Sequence, residues 1–161
     1  MNYLMNLPTD KVLRGDELGK YVTEMFGKNM PFLDLIGMEL VSHGTEKAEV
    51  HFPWKEDLMG NPVLKVLHGG VTAAVLDTVG GLMAILHAVS TMDNVSLKDF
   101  QRKLGKMSTI DMRIDYLRPG KGEYFVATAE VIRKGSRVAV VRMELHNEQG
   151  THIAFGTGTY M

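Results

Sequence analysis

Apolar residues recur along this chain on two different periods, and the change of period divides it into elements. In residues 16–30, Leu18, Tyr21, Val22, Met25 and Phe26 fall at helical spacing, which predicts an amphipathic helix lying on the domain. Asn29 and Pro31 end it, because the residue before a proline is driven out of the helical region. Strand-like runs follow at 37–42 and 47–52, separated by the turn-prone His43-Gly44-Thr45. Met59-Gly60-Asn61-Pro62 reads as a loop. Residues 71–89 are apolar on nearly every side, the pattern of a helix surrounded by protein. Asp77, Thr78, Gly80, Gly81 and His87 interrupt that run too often for a membrane span. Ser96 is placed to cap a short helix at 97–104. The period then drops to two, with Ile110, Met112, Ile114 and Tyr116 alternating with Thr109, Asp111, Arg113 and Asp115, as in a half-buried strand. Arg118-Pro119-Gly120-Lys121-Gly122 turns it, and 124–133, 137–146 and 151–160 continue as β runs. Turns this short predict that the last four strands form an antiparallel meander.

An all-round apolar helix needs cover, and an antiparallel sheet of about six strands curling around it supplies that cover in an α+β domain. The remaining sheet edge calls for a partner, so a homodimer at least is expected. The 161 residues suit one domain, with residues 1–31 as an N-terminal extension and helix and 32–161 as the core. A formal net charge of -1 with no basic tract argues against nucleic acid as a partner. The lack of cysteine excludes disulfides, thiolate metal sites and a cysteine nucleophile. Residues 1–8 lack the basic-then-apolar order of a signal peptide, so a soluble cytoplasmic protein without membrane attachment is expected. Twelve methionines fit a pliable interior or an adaptable apolar pocket.

The chemistry concentrates in His68-Gly69-Gly70 and in Asp77, the carboxylate inside the apolar helix. Without Cβ atoms, Gly69 and Gly70 let a ligand approach backbone N–H groups at a helix N-terminus, where unpaired donors and the helix dipole favour negative charge. Such donors can form an oxyanion site. Gly80-Gly81 weakens the helix interior by about 1 kcal/mol per glycine relative to alanine, which predicts another backbone packed closely there.

The order of strand, strand, Asn61 loop, His68-Gly69-Gly70, long helix with Asp77 and four strands including Asp115-Tyr116-Leu117-Arg118-Pro119 resembles the hotdog-fold acyl-CoA thioesterases of the phenylacetate-pathway (PaaI-type) group. The likeness runs from about Phe32 to Tyr160, and the Arg-Pro-Gly-Lys-Gly turn and the Gly-Thr-Tyr ending look like the group's bacterial medium- and long-chain acyl-CoA branch. The resemblance implies a hotdog fold and hydrolysis of acyl-CoA to fatty acid and CoA, with no separate cofactor. It implies that Asp77 is the catalytic carboxylate, as general base or nucleophile, and that Gly69 is the backbone donor to the thioester carbonyl. Asn61 matches a loop amide that positions water or the carbonyl, and Thr109 a hydroxyl that holds the water. Asn61 precedes His68 by seven residues, one more than in much of the family. His68 is expected to orient its loop through a ring hydrogen bond, with direct proton transfer as its alternative role.

Gly69 and Asp77 are eight residues apart, about 12 Å along one helix at 1.5 Å per residue. One thioester cannot touch both, so the donor and the carboxylate serving it would come from different subunits of a dimer or a dimer of dimers. Arg118, Lys121, Lys134 and Arg137 are candidates for the CoA phosphates. Gly70, Met59, Val79, Leu82, Met83 and Met107 are candidates to line the substrate site. The six histidines show no H-x-x-x-H pairing, so no metal site is expected. The alternatives to a fatty acyl-CoA hydrolase are a thioesterase for aromatic acyl-CoA and a noncatalytic acyl-CoA sensor acting through protein partners.

Overall fold

The computed structural model describes residues 6–161; residues 1–5, part of the segment read for a leader, lie outside the described residues. Chain order runs β1 (Val12–Leu13), α1 (Gly15–Lys28), α2 (Pro31–Ile36), β2 (Glu39–His43), β3 (Lys47–Pro53), β4 (Met59–Asn61), β5 (Val66–Leu67) and α3 (Gly69–Val89), then β6 (Val95–Ser96), α4 (Leu97–Leu104), β7 (Thr109–Tyr116), β8 (Tyr124–Lys134), β9 (Ala139–Asn147) and β10 (His152–Tyr160). The expected arrangement is present: α3 packs against a six-stranded antiparallel sheet and touches β3, β7, β8, β9 and β10. By length and composition α3 could cross a bilayer, but 56% of its most apolar window is buried inside the domain. Val75, Leu76, Val79, Leu82 and Met83 form its core stripe, opposite Val50, Ala127, Met143 and Leu145 of the sheet, all buried. The short α4 begins where expected, with the Ser96 hydroxyl accepting the Asp99 N–H at 3.1 Å. That bond satisfies one of the free donors of a helix start. From the N-terminal side, α1 lies against α3 and buries Leu18, Tyr21, Val22 and Phe26.

Three features differ from the sequence expectation, the first being that Met59–Asn61, expected as a loop, pairs with Val66–Leu67 as a short antiparallel ladder. The chain does not enter a strand at Gly37: Pro31 starts the extra helix α2, and Gly37, at φ +83°, ends it. Proline is suited to the first helical turn and glycine to the left-handed cap. Of the last four strands, β8, β9 and β10 form the expected antiparallel meander, but β7 does not pair with β8, since the order across the sheet is β2-β3-β8-β9-β10-β7. Backbone N–H groups of Leu117 and Arg118 donate to the Ile153 carbonyl at 2.8 and 3.1 Å, holding the end of β7 beside β10. The connection that follows docks on β5, where the Leu67 N–H donates to the Gly120 carbonyl at 3.0 Å. A Cβ on Gly120 would meet Leu67 at 2.9 Å, so this contact needs glycine. The turn therefore carries the chain across to β8, and β7 is left as an edge strand.

Candidate functional site

His68 caps α3, with its Nδ1 accepting the Gly70 N–H at 2.8 Å. That bond consumes one helix-start donor and makes the ring the orienting device expected of it. Among the described residues nothing accepts the Gly69 N–H. The nearest atoms to a Cβ on Gly69 would be those of the Tyr116 ring, at an ordinary 3.5 Å, so packing within one chain does not require glycine there. Gly60 and Gly70 are different, because a Cβ on either would run into His68 at 2.5 and 2.9 Å. Asn61 sits at the exposed bend between β4 and β5, and its Oδ1 accepts the Val63 and Leu64 N–H groups at 3.0 and 3.1 Å. This side-chain turn leaves the amide nitrogen as the group free to meet a ligand.

Two turns further along α3, Asp77 is half-buried, and its Oδ1 accepts the Thr109 hydroxyl at 2.9 Å. Residue 110 has no partner on β10, where Tyr160 pairs with Thr109 and Thr159 with Asp111. This bulge puts Thr109 on the helix side together with Met112 and Ile114, which pack against the core. At the other end of β7, the Tyr116 hydroxyl donates to the Gly69 carbonyl at 2.6 Å. The edge strand is thus tied at one end to the helix start and at the other to the carboxylate. Tyr160 crosses beneath: its hydroxyl donates to the Asp77 carbonyl at 3.3 Å, and burial, then the Asp77 charge and hydrogen bonding, hold its ionisation well above the ordinary tyrosine range. The Gly80-Gly81 pair makes room for this ring, since a Cβ on Gly80 would overlap the Tyr160 hydroxyl and also meet Met143 at 3.1 Å. A tyrosine ring, not another backbone, is what packs there.

A cavity of about 290 Å³ opens beside Asp77, walled by Phe26, Met30, Gly81, Ile85 and Met107. Of the six substrate-lining candidates only Met107 borders it. Val79, Leu82 and Met83 are buried in the core on the opposite stripe of α3, and Met59 and Gly70 belong to the Gly69 end. The missed walls, Phe26 and Met30, come from α1 and the residues after it, and their apolar helical pattern carries no sign of which side faces a ligand. A second cavity of about 600 Å³ shares Met107 and Tyr160 with the first and is bordered by Lys103, Lys106, Lys134 and Arg137. The four predicted cations therefore do not gather in one place within the chain. Lys134 and Arg137 sit in that cavity beside two lysines not anticipated, while Arg118 borders a cavity of about 390 Å³ with Gly69 and Tyr116. Lys121 lies in the exposed turn, where its carbonyl accepts the buried Asn147 amide at 2.8 Å.

None of these groups forms a metal-ligating set, but Glu144, His146 and His152 do come together on β9 and β10. This departs from the expectation of no metal-type cluster, because the acidic partner lies two residues from His146, a strand spacing that puts both on one face.

The family described as thioesterase superfamily matches residues 64–154. The medium/long-chain acyl-CoA thioesterase YigI of Escherichia coli K12 is 43% identical over 150 residues, covering 93% of this chain and 97% of that protein. A crystal structure from Shewanella oneidensis, described as related to the thioesterase superfamily, has TM-score 0.86 and 51% identity over 91% of this chain and 96% of that one. The PaaI protein of E. coli, from the phenylacetic acid degradation operon, shares the fold at TM-score 0.69 and 20% identity, over 88% of this chain and 91% of that one.

Proposed function

The chain belongs to the thioesterase superfamily, and on that premise we propose that it hydrolyses medium- to long-chain acyl-CoA to fatty acid and CoA at Asp77. The observation that carries this reading is the double tether of β7, from Tyr116 to Gly69 and from Thr109 to Asp77. A free edge strand pairs readily with its own copy. An antiparallel pairing about a two-fold axis through the middle of β7 sets the Thr109 end of one protomer against the Tyr116 end of the other. The partner's Gly69 donor is then brought to this protomer's Asp77, although within one chain they are about 12 Å apart along α3. Two composite sites result.

In each, the Gly69 N–H donates to the thioester oxygen as it becomes negative. Asp77 assists attack on the carbonyl carbon, either by taking the proton of water or by attacking directly to give an anhydride that water then opens. The C–S bond breaks, and the CoA thiolate leaves and takes a proton. Thr109 holds one Asp77 oxygen in place, leaving the other for the attack. The apolar cavity of Phe26, Met30, Ile85 and Met107 suits an aliphatic chain. The adjoining cations, Lys103, Lys106, Lys134 and Arg137, suit phosphates. The name of the YigI relative supports the chain-length class.

The test is thiol release from a chain-length series of acyl-CoA substrates by wild type and Asp77→Asn. Turnover that rises into the medium and long chains and is lost in the variant supports the proposal. Binding without turnover by wild type would instead identify a sensor.

A further inference from the structure

We propose that Glu144, His146 and His152 bind one divalent transition-metal ion of the zinc type, on the face of the sheet opposite α3. Glu144 and His146 alternate along β9 with Met143 and Leu145, which are buried in the core, so they point to the outer face. Strand pairing sets His152 of β10 directly across from His146. Their imidazole rings stack 4.4 Å apart and 12° from parallel, and Glu144 Oε2 lies 4.0 and 3.8 Å from the Nε2 atoms of His146 and His152. All three ligand atoms are within 4.8 Å of one another. A point equidistant from atoms spaced this way lies about 2.5 Å from each, near zinc bond lengths of about 2.0–2.2 Å, and binding requires the two imidazoles to tilt out of their stack so that their in-plane lone pairs converge on the ion.

Two further observations distinguish this cluster from an ordinary surface pair. The His152 Nε2 atom is buried, and among the described residues nothing hydrogen-bonds to it, although it faces the Glu144 carboxylate and the His146 ring. The other carboxylate oxygen of Glu144 faces Arg142 Nε at 3.7 Å, and that guanidinium lies over the Phe155 ring at 4.1 Å. Arg142 thereby orients the carboxylate in the manner of an outer-shell partner. Imidazole and carboxylate together select zinc, nickel or copper over magnesium and calcium. Three protein ligands leave a coordination position for water, and the bound ion would stitch β9 to β10 on the side away from Asp77. By contrast, His51 on β3 pairs with Glu49 at 2.6 Å, and among the described residues no third ligand joins them.

The untagged full chain, stripped with a chelator, is titrated calorimetrically with zinc chloride beside H146Q, H152Q, E144Q and H51Q. One equivalent per protomer is expected, with affinity falling roughly tenfold or more in the first three variants and unchanged in H51Q. Zinc-edge X-ray absorption of the wild type, which does not depend on variants folding, should report two imidazole nitrogens and oxygen ligands. Absence of stoichiometric binding, binding that survives H146Q and H152Q together, or a coordination shell without two imidazoles would overturn the site.

Discussion

The two long faces of α3 are built from similar apolar residues and yet have different work. One face, with Val75, Leu76, Val79, Leu82 and Met83, is closed by the sheet. The other, with Asp77, Gly81 and Ile85, opens on a cavity whose remaining walls come from α1 and the residues after it, from the start of β7 and the residues before it, and from Tyr160 of β10. Fold stability resides on the first face, where each side chain already has its neighbours. The proposed chemistry uses the second, where the helix presents a carboxylate beside unfilled apolar space. Mutations should therefore separate the two.

The largest effect is expected at Asp77. Asp77→Asn should lower kcat by about a thousandfold, within the range of acid–base and nucleophilic contributions, while leaving the thermal midpoint near that of wild type. Leu82→Ala should do the reverse, costing about 2–5 kcal/mol in denaturant unfolding with kcat of the folded fraction retained. Equal losses of stability in both variants would erase the distinction between the faces. A smaller effect is expected from neutralising Lys103, Lys106, Lys134 and Arg137 together: KM for acyl-CoA should rise roughly tenfold and its salt dependence should flatten, with kcat held. An unchanged KM would detach the second cavity from the substrate.

The smallest effect lies where the two faces meet, at Tyr160. Burial and the Asp77 charge raise its ionisation above the ordinary value of 10.0, so the folded protein holds a proton that the unfolded chain releases. The stability this contributes is fully present below pH 10 and is lost as pH rises above it. Wild type should lose stability faster than Tyr160→Phe only in that alkaline window, as read by urea midpoints across pH. A difference of equal size near neutrality would point to packing instead.

This division of α3 was only partly legible in the sequence. Strands and helices with one wet face declared their period, and α4 with its Ser96 cap was plain. The long helix did not, because residues 71–89 are apolar all round and their pattern cannot say which side meets the sheet. From that pattern Val79, Leu82 and Met83 are equally readable as core or as pocket lining, and nothing in it marks Ile85 as a cavity wall. The position of β7 rests on contacts distant in sequence, from Leu117 and Arg118 to Ile153 and from Gly120 to Leu67, which no local turn pattern encodes. Helix α2 is six residues long, too short to display a period. Asp77, Gly69 and Thr109 were nameable as candidates from the family resemblance, and the structure adds that the Thr109 hydroxyl donates to Asp77.

Mixed dimers put the composite site to the sharpest test. Asp77→Asn and Gly69→Pro chains, each inactive alone, are allowed to exchange subunits, with exchange followed by distinct affinity tags. The proline removes the donor N–H at a position where helices accept it. Each mixed dimer carries both lesions in one site and neither in the other, so random exchange should restore about a quarter of wild-type thiol release. No recovery after confirmed exchange would contradict the sharing of one thioester between Asp77 of one protomer and Gly69 of its partner.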